Sequence, residues 1–290
     1  MLKHRILPVL AVVAAIVAIW YVAAVFMNAS VQRDMDKRAG EVSTTWQLVE
    51  KTMRQAKPTL PAPHQIAINF YENTFLRKLT SNRSLVYHSW VTLSSTLAGF
   101  AFGTVLGIAI AVGIVHVKSL ERSLMPWIIA SQTVPILAIA PMVIVVLGAI
   151  NITGLVPKAL ISTYLSFFPV TVGMVKGLRS PEAMHLDLMR TYNAGLGQTF
   201  WKLRVPASIP YLFTSMKVAI AASLVGAIVG ELPTGAVAGI GSKLLAGSYY
   251  SQTIDMWAAL VAGSVLAALL VFAVEIVSRI VNRAMGGRPA

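Results

Sequence analysis

Long apolar runs separated by short charged stretches set the pattern of this chain. Residues 6–27 carry no charge and follow Lys3, His4 and Arg5. Twenty helical residues cover about 30 Å, the thickness of bilayer hydrocarbon. A cleaved signal peptide is the other reading, but its apolar core usually runs only about 7–15 residues. An uncleaved first transmembrane helix over residues 1–27 is therefore expected. Further apolar runs at 91–117, 124–151, 155–175, 206–230 and 256–280 raise the expected number of spans to about six. Lys158 lies at the edge of the fourth run, and Lys217 and Glu275 interrupt the fifth and sixth.

The segments between the runs are read from their breakers and charges. Residues 28–83 are polar and mixed in charge. The spacing predicts a helix over 30–57, ended by the prolines of 57–64, because proline removes a backbone donor and fixes φ. Residues 66–79 read as a second, amphipathic helix at the membrane surface. Gly99, Gly103 and Gly107 recur every fourth residue, so one helix face is flat and lets another backbone approach. Residues 118–122 read as a short polar turn. Pro126, Pro135 and Pro141 lie within 124–151, where kinking beside a pathway and plain packing irregularity are both open readings. Residues 231–255 are Gly-rich and semi-polar.

Composition agrees. Of 290 residues, 56% are hydrophobic and 12% charged, with a mean hydropathy of +0.71. Soluble domains carry about 25% charged residues. The apolar surplus faces lipid, which makes this an all-α membrane protein. The net charge of +13 comes from Lys and Arg scattered between the runs. That distribution is the one expected of loops flanking membrane helices, and nucleic acid is not an expected partner. There is no cysteine, so no disulfide or thiolate site exists. The five histidines form no i, i+4 pair, no G-x-S-x-G elbow occurs, and no metal site or catalytic residue is expected.

With six spans, both termini, the 118–122 stretch and the 176–204 loop share one side. These segments hold 12 of the 24 Lys and Arg, which places that side in the cytoplasm. Residues 28–83, with nine basic and five acidic residues, then fall outside; the rule weakens for loops approaching about 60 residues.

The 176–206 loop carries the most specific signal. It reads DLMRTYNAGLGQTFWKLRVP from Asp187 to Pro206. This resembles the EAA loop of ABC importer permeases. Asp187, Leu188 and Met189 fall on Glu-Ala-Ala, Asn193 on the following Gly, and Leu203, Val205 and Pro206 on Ile-x-Leu-Pro. Asn tolerates a left-handed backbone best among non-glycine residues, so the turn survives the exchange. The strings HSWVTLSSTLAGFAFGTVLGIAIA, LMPWIIASQTVPILAIAPMVIVVLGA and VGAIVGELP are similar to the nitrate, sulfonate and taurine branch. The resemblance covers residues 60–282 and leaves 28–57 as an insertion.

What the resemblance implies is a type I ABC importer permease fold: a periplasmic helical segment over 28–83, a five-helix core over 84–282 with a cytoplasmic coupling loop at 176–206, and a cytoplasmic tail over 283–290. It implies the inner membrane, a second permease copy or homologue, two cytoplasmic ATPases and an external solute-binding protein. No cofactor is expected on this chain; ATP and Mg belong to the ATPases, and G-x-x-x-x-G-K-[ST] is absent here. The contact tip would be Tyr192, Asn193, Ala194 and Gly195, with Asp187 pairing with an ATPase arginine or else serving only the helix dipole. Path candidates are Ser131, Gln132, Pro135, Tyr164, Phe167, Phe168 and Glu231. For Phe167 and Phe168 the alternative is core packing, and for Glu231 it is a solvated helix end. Lys217 is expected to snorkel, with a weak pair to Glu275. The solute is nitrate-, sulfonate- or taurine-like, or a heterocyclic vitamin precursor. A secondary transporter or channel is the rival reading, and sodium or proton dependence would mark it.

Overall fold

The computed structural model describes residues 2–233 and 238–285, with side chains from Leu7 onward. The end of the expected tail, 286–290, and residues 234–237 lie outside the described residues. All regular structure described is helical. Two compact units divide the chain, one taking Met1–His88 with Lys243–Ala262 and the other Ser89–Ser242 with Gly263–Ala290.

In the first unit, α1 (Leu2–Ala39) is a single helix of 38 residues. It runs twelve residues past the expected end at 27, because nothing between 28 and 39 breaks it. Gly40 ends it with φ +72°, a conformation that costs glycine nothing. The expected helix over 30–57 is thus divided between the end of α1 and α2 (Thr45–Met53). Lys51 joins the two, donating to Asp36 at 3.0 Å, Glu41 at 2.7 Å and Ser43 at 2.9 Å. Glu41 first, then Asp36, raises the Lys51 amine above its ordinary pKa. The proline-rich stretch is held by the buried Asn28. Its Oδ1 accepts from the Thr59 and Leu60 amides, and its Nδ2 donates to the Leu60 carbonyl. Pro63 opens α3 (Pro63–Tyr71), which widens into a π turn over Glu72–Leu76. Trp20 donates to the Pro61 carbonyl and packs against Trp257 with ring centres 4.9 Å apart. Residues 231–255, semi-polar in sequence, contain α11 (Ile240–Tyr249).

The second unit is built on α4 (Leu85–His116), α7 (Leu155–Leu178) and α10 (Val205–Glu231), joined by α12 (Thr253–Ala284). Small residues set the packing. A Cβ on Gly99 or Gly103 would collide with Ser162 or Ser166 of α7, and one on Gly107 would sit 2.8 Å from the Phe167 carbonyl. On the other side of α7, Gly226 meets Ser162 Cα and Gly177 meets Ser208 Cα. Without a hydrophobic drive inside lipid, such backbone approach is what holds membrane helices together. Lys217 of α10 pairs with Glu275 of α12, which also accepts from Arg279 at 2.7 Å. The expected weak pair is formed, and Lys217 is drawn to a carboxylate rather than left to snorkel alone.

The third span departs most from expectation. Lys118 starts α5 (Lys118–Ser131) directly, so 118–122 is helix and not a turn. Val117 is extended, and its carbonyl accepts from the Glu121 amide. After Ser131 the chain turns into α6 (Ile136–Ala149), bent from α5 by 99°. Pro126 and Pro141 are carried inside their helices, and only Pro135 marks a break. At the corner the Ser131 and Thr133 hydroxyls donate to the Ile128 and Ala130 carbonyls.

Candidate functional site

No residue of the loop between α7 and α10 is buried. Helix α8 (Ala183–Thr191) ends where Asn193 takes φ +51°, the left-handed turn allowed to Asn in the glycine place. The Asn193 amide donates to Arg190 at 2.8 Å and the Ala194 amide to Met189 at 2.9 Å, closing the turn. Gly195 donates to Gln198 and precedes the short α9 (Leu196–Thr199). A π turn over Phe200–Arg204 then carries the chain into α10 without a break, with Pro206 in its first turn. Proline lacks the amide that a continuous helix would pair there, and the wider π turn lies directly before it.

Asp187 pairs with Arg190 one turn on at 3.0 Å and is 65% exposed. Such a surface pair contributes little to stability, so the carboxylate is open to another partner. Met184, Leu188 and Tyr192 recur every fourth residue and are 70%, 52% and 77% exposed; Leu196 beyond the turn is 92% exposed. Met189 and Ala194 are half-buried against the turn. At the root of the loop, Arg179 donates to Glu121 of α5 at 2.8 Å, and that carboxylate raises the guanidinium above its usual pKa.

The path candidates separate into three groups. Ser131, Gln132 and Pro135 fall at the α5/α6 corner, and the Tyr164 hydroxyl of α7 donates to the Ser131 carbonyl. Phe167 and Phe168 pack on the cluster around Ile114, Met174 and Leu178, which is the core-packing alternative. Glu231 belongs with neither an open path nor a solvated end, since it is 0% exposed. Its carboxylate accepts from Thr92 Oγ1 at 2.9 Å and the Gly241 amide at 2.9 Å, and Lys158 Nζ lies 3.7 Å away. Lys158 also donates to the Ala238 carbonyl, and Thr92 accepts from the Ile240 amide. The carboxylate thus ties α4, α7, α10 and the start of α11 at one point. Gly239, at φ +131°, leaves the room for it, since a Cβ there would strike Glu231. Thr92 and Lys158 were not legible as site residues. The hydroxyl run Thr92, Ser94, Ser95 and Thr96 within an apolar span was the available signal.

Among the described residues five helices are long and apolar enough to cross a bilayer, giving six spans if the bent pair is one, which defines a multi-pass α-helical membrane protein. The family described as the binding-protein-dependent transport system inner membrane component matches residues 103–287, more than half of the chain, and the chain belongs to it. A formylaminopyrimidine transport permease protein of Halalkalibacterium halodurans is 32% identical over 173 residues, 59% of this chain and 64% of that one. The chain therefore spans just under two thirds of that relative's length. A probable ABC transporter permease protein of Haemophilus influenzae is 26% identical over 81% of this chain and 91% of its own. A riboflavin transport system permease protein of Chloroflexus aurantiacus is 29% identical over 64% of this chain and 65% of its own.

Proposed function

We propose that this chain is the permease subunit of an ATP-driven, binding-protein-dependent importer of the inner membrane, with both termini in the cytoplasm. The observation that carries the reading is the 176–206 loop: a short helix with an unpartnered apolar stripe, a left-handed Asn193 turn, and a continuous helical rod from Leu196 to Glu231 behind it. Such a rod transmits a push on the loop to the bundle. Asp187, Leu188, Met189 and the tip from Tyr192 to Gly195 dock in a cleft of a cytoplasmic ATPase, which holds the ATP and Mg. Two permeases, two ATPases and an external solute-binding protein complete the assembly, and residues 28–83 face that external side. The chain itself carries out no chemistry. The solute is a pyrimidine or other heterocyclic vitamin precursor, as the formylaminopyrimidine and riboflavin relatives support, or a small oxyanion such as nitrate or a sulfonate, as the sequence resemblance implies.

The test is ATPase stimulation in a complex reconstituted with a cognate ATPase and solute-binding protein. Asp187→Ala combined with Gly195→Trp should abolish solute-stimulated hydrolysis while the chain stays folded, since Gly195 has open space around it and Asp187 is exposed. Unchanged stimulation would refute the docking role. Uptake driven by a sodium or proton gradient with no ATPase bound would replace the importer reading with a secondary transporter.

A further inference from the structure

The family match at 103–287 stops short of residues 28–57, and the resemblance leaves them unexplained. Within the first unit they enclose a cleft of about 1110 Å³, formed by the end of α1, α2 and the turns beside them. That volume takes a drug-sized molecule. Asp36, on its lining, stands nine residues past the apolar run that ends at Met27, about 14 Å along the helix. The cleft therefore lies beyond the hydrocarbon.

A chain of side-chain bonds runs along it. Lys51 Nζ has three protons and gives them to Asp36 Oδ1, Glu41 and Ser43. Asp36 Oδ1 also accepts from Gln32 Nε2 at 3.0 Å, and Gln32 Oε1 accepts from Gln55 Nε2 at 2.8 Å. An ionised carboxylate only accepts, so Asp36 fixes which way the Gln32 amide points, and Gln32 then fixes Gln55. Flipping either amide would set oxygen against oxygen. The result is a vacant acceptor at each end. Asp36 Oδ2 and Gln55 Oε1 are buried without a hydrogen-bond partner, on residues 6% and 7% exposed. The Ser43 hydroxyl lies beside the Asp36 carboxyl without bonding Oδ2.

Buried acceptors left unpaired cost stability, so two of them on one cleft mark a place for donors from outside. Acidic and basic side chains on the lining balance, and Arg54 is spent on Glu50 at 3.2 Å. Net charge therefore does not choose the ligand. The bare carboxylate oxygen does, because bonds to an ionised group are about twice as strong as neutral ones. A cation bearing N–H groups fits it, and Met35, Ala39 and Val42 give its body an apolar wall. No cluster of three His, Cys, Asp or Glu suited to a metal ion occurs among the described residues.

We propose that this cleft binds a small organic cation, whose ammonium or amidinium head donates to Asp36 Oδ2 and Gln55 Oε1 while its apolar body rests against Met35 and Val42. Both oxygens are closed to bulk water, and a rotamer change of the lining side chains, common on binding, admits the head. On the importer reading the cleft faces outside, so such a molecule reaches it without being transported.

The purified full chain, in nanodiscs of zwitterionic lipid, would be titrated with cyclohexylammonium and, in parallel, with cyclohexanecarboxylate. Saturation-transfer NMR reads both, with empty discs subtracted. The ammonium should bind and the carboxylate should not. Gln55→Met removes one acceptor and should weaken binding at least about tenfold. Val42 is 99% exposed, so a charge there leaves the fold intact. Val42→Arg should weaken the ammonium about fivefold and Val42→Glu strengthen it about fivefold, the effect of one charge a few ångströms away in water. Opposite shifts at one exposed position cannot come from misfolding. The proposal is overturned if the ammonium signal does not exceed that of the carboxylate, if Gln55→Met leaves it unchanged, or if the two Val42 variants bind alike. Neither ATPase nor solute-binding protein is present, so this outcome is separate from that of the importer reading.

Discussion

Lys158→Met is the perturbation with the most to teach about this bundle. It removes the cation 3.7 Å from a carboxylate with no exposure and also frees the Ala238 carbonyl. Breaking a buried pair from one side costs about 3–5 kcal/mol, because the other charge is left uncompensated. The pair here is long, and Glu231 keeps its bonds from Thr92 and Gly241. The lower end, about 3 kcal/mol, is therefore expected. Glu231→Gln should cost a similar amount, since it leaves the Lys158 ammonium, 12% exposed, without its counter-charge. In the double variant neither charge is stranded, and the coupling between the two changes should reach about 2 kcal/mol. The assay is reversible unfolding of the purified chain in mixed micelles titrated with SDS, followed by tryptophan fluorescence across all four members of the cycle. If the two costs simply add, to within about 0.5 kcal/mol, then the ion pair is not what holds α7 to the end of α10, and the reasoning fails.

Four other outcomes are expected. Gly103→Ala drives a methyl into Ser166 and should destabilise by roughly 1–3 kcal/mol, whereas Gly148→Ala, with open space around it, should leave the micellar unfolding midpoint unchanged. Asn193→Val forces a β-branched residue to φ +51° and should cost about 1–2 kcal/mol, while Asn193→Gly should be neutral or better by the same measure. Lys217→Glu or Glu275→Lys alone should lower expression of folded chain, judged by monodisperse elution, and the two together should restore it; failure of the double reversal to rescue either single change would exclude the pair. Lys51→Met should open residues 40–57 to limited proteolysis, because it removes the cation that joins Asp36, Glu41 and Ser43.

Periodicity within one helix was readable in the chain, whereas contacts between distant helices were not. The Gly99, Gly103 and Gly107 spacing announced a close backbone approach, and α7 fills it. The Asn193 turn was also legible, because a short polar side chain at that spacing has few alternatives. Residues 118–122 misled because a charged stretch between two apolar runs looks like a turn, although Lys, Ser, Leu, Glu and Arg together make an adequate first helical turn. Three prolines in one apolar run look alike. A Ser or Thr bonded back to a preceding carbonyl does not set Pro135 apart, because Ser123 does the same ahead of the carried Pro126. Glu231 could not be read at all, since its partners lie 139 and 73 positions before it and ten after it in the chain.

The α5/α6 corner has a bearing on the lipid itself. Each arm has 14 residues and is about 21 Å long, too short alone to bridge 30 Å of hydrocarbon. Bent near a right angle, the pair measures about 30 Å from end to end, and only when both arms lean. The other spans, at 24 residues or more, have length to spare and absorb a thicker bilayer by changing tilt. The corner has no such reserve, so lipids with longer acyl chains would press on Ser131 to Pro135 before any other part of the protein.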